Sequence, residues 1–430
     1  MLNFLFAIFF LGILFAVWRL FAYEGRKDFL FFVLAIHTLV CVSIFISNEW
    51  LARVRHLIPL LLIISLGLRY DKILKQRKIL GILVVVLYVF LFLSACWSQY
   101  PLIFLKQKWK ICLMATLFLL AGTTIDSAKD IRKMMISILP AAIFAGLFLL
   151  GSKSSVSIDD RLLVEDVNAN WTAVNVGVTS TFLMVFILYV RSKVWVKLLL
   201  IPFVCYGVYM LVRTGSRTAC ISIFMCNIVL LWKYVTSIRR FLFLGIPIGL
   251  FIIVLGSVAW SRLNSNLQER LVNYRTFSGR ERVWEQAIDY MSQQPWYGTG
   301  GFVQGTFMDQ FADPFGQIRW GSTLNIYMDV YVELGVLGLV IGGFACMTLL
   351  LTCYRTLQYF PYPIKYCALS FCLYGLLQGV GEGMPLRTTF IPNMVFMLGI
   401  GMLSNMVPWR AFAYCDFPPT PYHNGSPYRR

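Results

Sequence analysis

Apolar runs long enough to cross a membrane recur along almost the whole chain, separated by short polar connections. A helix needs about 20 apolar residues to cross roughly 30 Å of hydrocarbon. By that measure twelve spans are expected, at 2–22, 29–46, 79–96, 110–123, 136–151, 171–190, 195–212, 218–235, 241–259, 330–353, 366–383 and 389–407. The run 57–68 follows Arg53, Arg55 and His56 and contains Pro59, features that suit an interfacial or re-entrant segment better than a span. If it does cross, there are thirteen helices and the N-terminus changes sides, while the sidedness from residue 79 onward is unaffected.

One stretch breaks the pattern. Between Ser261 and Leu324 the chain is polar, contains glycines, and carries Arg262, Arg270, Arg275, Arg280, Arg282 and Arg319 but no Lys. Arg presents a rigid fork of donors that suits a diphosphate or carboxylate, so the bias points to recognition of such a group. Within the stretch, Ser278-Gly-Arg-Glu281 reads as a capping box opening a helix, which Pro295 with Gly298, Gly300 and Gly301 ends. Arg280, Trp284, Ala287 and Met291 share one face of that helix. Two readings are open: one wall of an active site, or an interfacial helix with Trp at the headgroups and Arg snorkelling.

Composition agrees with the spans. The chain of 430 residues is 59% hydrophobic and 13% charged, with a mean hydropathy of +0.72, which excludes an ordinary soluble domain. The first apolar run has no basic segment before it and no small-residue cleavage site after it, so it is expected to be a retained helix rather than a signal peptide. The net charge of +18 comes from short clusters between spans, a membrane-topology pattern rather than a nucleic-acid surface. Eleven cysteines lie mostly in apolar runs, with neither a disulfide framework nor metal-ligand spacing. No long linker or repeat appears, so 1–430 is read as one membrane domain, with 261–324 as its loop and 416–430 as a short disordered cytoplasmic tail.

Basic residues in short connections set the orientation. One side collects Arg69 to Lys78, then Lys129 to Lys133, Arg191 to Lys197, Lys233 to Arg240, Arg355 with Lys365, and Arg410 onward; this side is read as cytoplasmic. The other side receives Lys106, Lys108, Lys110, Lys153, Arg161, Arg213, Arg217, Arg387 and the long loop. In a bacterium that loop faces the periplasm, from a multi-pass protein of the inner membrane. Trp97, Trp171 and Trp296 fall at interfaces and read as aromatic-belt residues, and the three lysines around Trp109 suit anionic lipid.

The motifs on the outer side, taken in order, resemble the O-antigen ligase and polymerase family. They are Arg213-Thr-Gly-Ser-Arg217-Thr at a helix end, Gly279-Arg280-x-x-x-Trp284-x-x-Ala287, Pro295-x-x-Gly298-x-Gly300, Asn325-Ile-Tyr327 and Glu333-Leu-Gly335-x-Leu-Gly338. Trp97-Ser-Gln-Tyr-Pro101 and Asn168-x-Asn170 extend the likeness less specifically. The resemblance implies an all-α bundle of about twelve spans, related to the GT-C glycosyltransferases, with a helical periplasmic loop over a lateral cavity. It implies transfer of a glycan from undecaprenyl pyrophosphate to lipid A-core, or to a second lipid-linked glycan in a polymerase. Arg217 matches the family's diphosphate arginine at a helix mouth, with Arg213 beside it. Arg280 matches the second essential arginine, with Arg282 as the register alternative. Where the family places a histidine before the last Asn motif, this chain has Leu324.

Transfer from a lipid pyrophosphate expels a diphosphate, and fixed Arg donors stabilise that charge without metal or cofactor. The acceptor hydroxyl must also lose its proton. Asn325, Asp329 and Glu333 recur at i, i+4 and i+8, one polar stripe on the helix after the loop, and Asp329 is the nearest carboxylate to the position of the family histidine. The competing reading makes Asp329 a structural partner of an Arg and pairs Glu333 with backbone at a kink near Gly335. Asp309 and Asp313 are further carboxylates of the loop, and Trp284 and Arg161 further site candidates. A non-catalytic transporter would show paired repeats with broken helices in matching halves, a pattern the chain lacks.

The sidedness is directly testable. A cysteine at Ser278 should react with an impermeant thiol reagent in intact spheroplasts, whereas one at Ser237 should not. Reversed labelling would place the loop in the cytoplasm and remove it from a periplasmic donor.

Overall fold

The computed structural model describes mainly residues 86–98, 101–125, 129–136, 154–156, 162–164, 169–235, 257–272, 280–300, 325–359, 364–381 and 391–406, apart from single positions. The expected spans 2–22 and 29–46, and the ambiguous run 57–68, lie outside the described residues, as do most of 136–151 and 241–259. The described chain is built of helices: α1 (Pro101–Thr123), α2 (Ala169–Tyr189), α3 (Val194–Arg213), α4 (Arg217–Val235), α5 (Ser265–Val272), α6 (Arg280–Ser292), α7 (Ile326–Tyr359), α8 (Ile364–Gly381) and α9 (Ile391–Met406). Among the described residues three helical segments are long and apolar enough to cross a membrane, Thr172–Tyr189, Val194–Arg213 and Ile326–Tyr354.

Two expectations change. The span at 110–123 begins nine residues earlier, at Pro101, so Lys106, Lys108 and Lys110 are part of a continuous helix rather than a connection. Proline at the first helical position has its φ already set and lacks only a hydrogen bond that this position never makes. The second change is an antiparallel hairpin, β1 (Ser154–Val156) with β2 (Leu162–Val164), paired Ser154 to Val164 and Val156 to Leu162. A description of the chain as wholly α-helical therefore needs this one addition, in a connection too short for an apolar-run reading to register. Arg161 itself lies outside the described residues.

The largest core cluster is shared by α1, α2, α3, α4, α8 and α9, with Leu349 of α7 joining it. Lipid is as apolar as these side chains, so helix association there rests on close packing and small residues rather than on exclusion of water. Gly122 of α1 and Gly401 of α9 face each other, and a Cβ on Gly401 would meet the Leu119 carbonyl oxygen and the Gly122 Cα at 2.9 Å. Gly177 of α2 accommodates Ile223 of α4, Gly207 of α3 accommodates Ser180 of α2, and Gly375 of α8 accommodates the Phe396 ring of α9.

Polar bonds set the register. Cys226 Sγ donates to the Ser370 carbonyl at 3.2 Å while Ser370 Oγ donates to the Cys226 carbonyl at 3.3 Å, locking α4 to α8. Tyr374 Oη donates to the Val174 carbonyl at 3.1 Å, joining α8 to α2, and Tyr189 Oη reaches the Leu230 carbonyl at 2.5 Å, joining α2 to α4. Phe182 and Phe371 pack at 5.4 Å between centroids. The far half of α7 instead exposes Val336, Phe344, Met347, Leu350 and Tyr354, the apolar surface expected toward hydrocarbon.

Gly401→Ala should cost about 1–3 kcal/mol by overpacking the α1–α9 crossing, read as a lower thermal midpoint in detergent. Gly343→Ala, with nothing within 4 Å of its Cβ position, should leave the midpoint unchanged. Equal midpoints for the two variants would mean that the crossing tolerates a wider spacing.

Candidate functional site

Chemistry collects at one end of the bundle, first on the corner between α3 and α4. Thr214 Oγ1 donates to the Leu211 carbonyl at 2.6 Å and Gly215 N to the Val212 carbonyl at 3.0 Å, closing the end of α3. Gly215 takes φ 64°, a left-handed value that reverses the chain without a Cβ clash. Ser216 then caps α4, its carbonyl accepting from Cys220 N at 3.0 Å. Thr214 and Ser216 are buried, so the corner is a fixed part of the bundle.

Arg213 and Arg217 stand on either side of this corner. Arg213, in the last turn of α3, is favourably placed against the helix dipole; its Nη1 donates to Tyr209 Oη at 3.3 Å, and its Nε is buried with no hydrogen-bond partner among the described residues. Arg217 is the first residue of α4, where a cation meets the positive end of the dipole and the first N–H groups of the helix. Such an arrangement favours an anion at the corner.

The second collection lies along the start of α7. Asn325 caps the helix: its Oδ1 accepts from Tyr327 N at 2.9 Å and Met328 N at 3.3 Å. Asn325 thus has a clear structural task, which its place in a polar stripe did not reveal. Asp329 sits in the first turn, a favourable place for a carboxylate. Asn325, Asp329 and Glu333 are 9%, 1% and 4% exposed, so the stripe read from spacing is a single buried polar face.

This helix breaks at Gly335, with φ 63° and ψ −156°. A break frees backbone groups that an apolar surrounding cannot satisfy. The segment Pro295–Gly300 supplies the partners: Thr299 N donates to the Val332 carbonyl at 3.0 Å, Gly300 N to the Glu333 carbonyl at 3.1 Å, and Val336 N to the Trp296 carbonyl at 2.8 Å. Thr299 Oγ1 adds a second bond to the Val332 carbonyl at 3.0 Å. The approach requires glycines. A Cβ on Gly298 would lie 2.6 Å from the Glu333 carbonyl oxygen, one on Gly300 would lie 2.6 Å from Ser98 N, and one on Gly335 would strike the Trp296 carbonyl oxygen. Three distant stretches therefore interlock: the 3-10 turn Ser94–Trp97 with Ser98, the clasp 295–300, and the break in α7. Trp97 packs edge-on to Tyr297 at 5.6 Å and beside Phe90 at 6.0 Å, so it belongs to this joint as well as to an interfacial level.

Helix α6 runs into the clasp. Ala287 and Met291 are buried with Val332 of α7, flanked by Tyr290, Met328 and Tyr331. Its apolar face is covered by protein, which departs from a helix lying on the bilayer through that face. The opposite face exposes Glu285, Gln286, Ile288 and Asp289. Arg280 opens α6, half-buried, at the end away from the clasp; Trp284 is half-buried on the same helix, and Arg282 follows Arg280 by two residues, within the first turn. On its other flank the start of α7 is tied to α8 through Tyr327 Oη, which donates to the Leu376 carbonyl at 3.2 Å. Leu324, Asp309 and Asp313 lie outside the described residues.

Residues 202–342, which run from α3 through the arginine corner, α6 and the clasp into α7, match the family model described as O-antigen ligase. This part of the chain is similar to the O-antigen ligase family. No curated protein matches the chain. The family segment contains both arginines of the corner, Arg280, the clasp and the whole buried stripe, while Ser94–Ser98, α2 and α8 complete the surroundings from outside it. The O-antigen ligase segment is thus held by elements on both sides of it in sequence. Sequence reasoning missed Thr299 as the clasp donor and missed Thr172 and Gln378, two buried polar residues of α2 and α8; the signal was a polar side chain inside an apolar run.

Gly335→Ala should dislodge the clasp, because the added Cβ meets the Trp296 carbonyl and the left-handed backbone is strained. The expected result is faster proteolysis between residues 292 and 325 with the thermal midpoint of the bundle little changed. Wild-type cleavage kinetics would show that the clasp tolerates the side chain.

Proposed function

We propose that this chain transfers a glycan from undecaprenyl pyrophosphate to an acceptor at the periplasmic face of the bacterial inner membrane, and that the reaction is ligation of O-antigen to lipid A-core. The observation that carries the reading is the arginine corner inside the O-antigen ligase segment. Arg217 opens α4, where the first N–H groups of the helix also favour an anion, and Arg213 stands across the turn. A lipid diphosphate is that anion, with Arg280, or Arg282 two residues on, contributing from α6. In the transfer, an acceptor oxygen bonds to the anomeric carbon as the bond from that carbon to the phosphate oxygen breaks. The electron pair goes to undecaprenyl diphosphate, whose growing charge the guanidinium groups stabilise.

The acceptor proton goes to a carboxylate, and Asp329 is the assigned base. It is buried on the face shared with Asn325 and Glu333, and the clasp and the α8 contact hold that segment from two sides. A base must be fixed within hydrogen-bond reach of the proton it takes, and a doubly braced helix segment provides the rigidity. A second reading is polymerisation, with another lipid-linked repeat unit as acceptor; Leu324 in place of the family histidine favours it.

The test uses the purified chain with a lipid-linked glycan donor and, separately, lipid A-core or a second lipid-linked unit as acceptor. Arg217→Lys and Arg280→Lys keep the charge but lose the fork, and each should lower the rate by about 2 kcal/mol of barrier, roughly 30-fold. Asp329→Asn should bind donor yet transfer far more slowly, with part of the rate returning on addition of Leu324→His. Wild-type rates in both Lys variants would reduce the arginines to headgroup anchors, and full activity in Asp329→Asn would remove it as base. Core acceptance identifies a ligase; acceptance of the lipid-linked unit alone identifies a polymerase.

A further inference from the structure

Gln378 of α8 is 0% exposed, and neither its amide nitrogen nor its amide oxygen has a hydrogen-bond partner among the described residues. An unpaired buried amide is costly, and polar side chains inside membrane helices mark functional sites more often than not. Ser370, Tyr374 and Gln378 recur every four residues along one face of α8. The first two define where that face points: Ser370 exchanges bonds with Cys226 of α4, and Tyr374 bonds the Val174 carbonyl of α2. Gln378 lies one turn beyond Tyr374 on the same face.

The register of α4 and α8 then gives its level. The two helices run antiparallel, so the eight residues from Ser370 to Gln378 match the eight from Cys226 back to Thr218, about 12 Å along either axis. Gln378 is therefore level with the first turn of α4, the turn that Arg217 opens. Thr172 approaches the same level from α2. It continues the Ser180 and Val176 stripe that faces Gly207 of α3, and its hydroxyl is also buried without a partner. With the buried Nε of Arg213, polar atoms without a partner among the described residues stand toward this end of three helices, α2, α3 and α8.

We infer that Gln378 recognises the first sugar of the lipid-linked donor, through its hydroxyl or acetamido groups. The inference rests on the donor reading proposed above. With the diphosphate on the arginine corner, the sugar attached to it lies within reach of neighbouring side chains. A neutral amide adds little to diphosphate binding, but its paired donor and acceptor match a sugar hydroxyl or an acetamido group. A polar residue serving only to join helices would have its bond to a neighbouring helix already made, as Ser370 and Tyr374 do. Gln378 sits three residues before the end of α8, and recognition requires its three side-chain torsions to bring the amide to the corner when donor binds.

The experiment measures equilibrium binding to the detergent-solubilised full chain of three probes: undecaprenyl diphosphate, and the same lipid bearing N-acetylglucosamine or galactose. Wild-type protein should bind at least one sugar-bearing probe about tenfold tighter than the bare diphosphate. Gln378→Met, matched in volume, should lose most of that preference, keep its affinity for bare diphosphate within about twofold, and show a thermal midpoint no lower than wild type. Gln378→Asn, which keeps an amide one methylene short, should fall between. Retention of the preference in Gln378→Met overturns the inference, and so does a midpoint lowered by several degrees, which would mean that the amide is structurally bonded. Wild-type binding of all three probes with equal affinity overturns it too, while leaving the diphosphate donor in place. Binding of none of the probes removes the donor reading, and this inference with it.

Discussion

An α-helix broken in an apolar setting must have its freed backbone groups paired, and the break in α7 at Gly335 meets that demand through a segment thirty-odd residues earlier in the chain. The clasp 295–300 takes the Val332 and Glu333 carbonyls and gives the Trp296 carbonyl to Val336 N. Because these bonds are with backbone, almost any side chain could stand on either strand, except where the chains touch. There only glycine fits, at Gly298, Gly300 and Gly335. The same joint anchors α6 on one side and the turn Ser94–Ser98 on the other, so the polar loop is fastened to the bundle at its centre rather than only at its ends.

That fastening separates two halves of the chemistry. The arginine corner belongs to the bundle itself, fixed by a turn with buried Thr214 and Ser216 and by the glycine contacts of α2, α3 and α4. The carboxylate stripe belongs to a short helical segment beyond the break, held by the clasp behind and by the Tyr327 bond to α8 in front. The arginines and the buried carboxylates thus stand on different elements, and the proposed reaction needs its leaving diphosphate and its attacking hydroxyl placed separately. Gln378 lies on α8, the helix bonded to both α7 and α4.

Most helix bounds could be read from the sequence alone. The expected spans at 171–190, 195–212, 218–235, 366–383 and 389–407 differ from the observed helices by few residues, because an apolar run of the right length between polar connections has one low-energy conformation in lipid. The loop helix and its buried face were legible as well, since a 3.6-residue period is a local property. So were the motifs that resemble the O-antigen ligase family. The short hairpin and the early start of α1 were not, as neither alters the pattern of apolar runs.

Which motifs meet was decided only by tertiary structure. Helices that are apolar on every side carry no stripe to say which neighbour they take, so the pairings Gly122 with Gly401, Gly177 with Ile223 and Cys226 with Ser370 follow from shape and single hydrogen bonds. The interlock of Ser98, Gly300 and Gly335 and the level of Gln378 against α4 depend on contacts between residues far apart in the chain. Local periodicity determined that this protein would be a helical membrane bundle with an arginine-rich polar insert. Packing at the few places where backbones touch decided what that insert is fastened to, and therefore which side chains share the site.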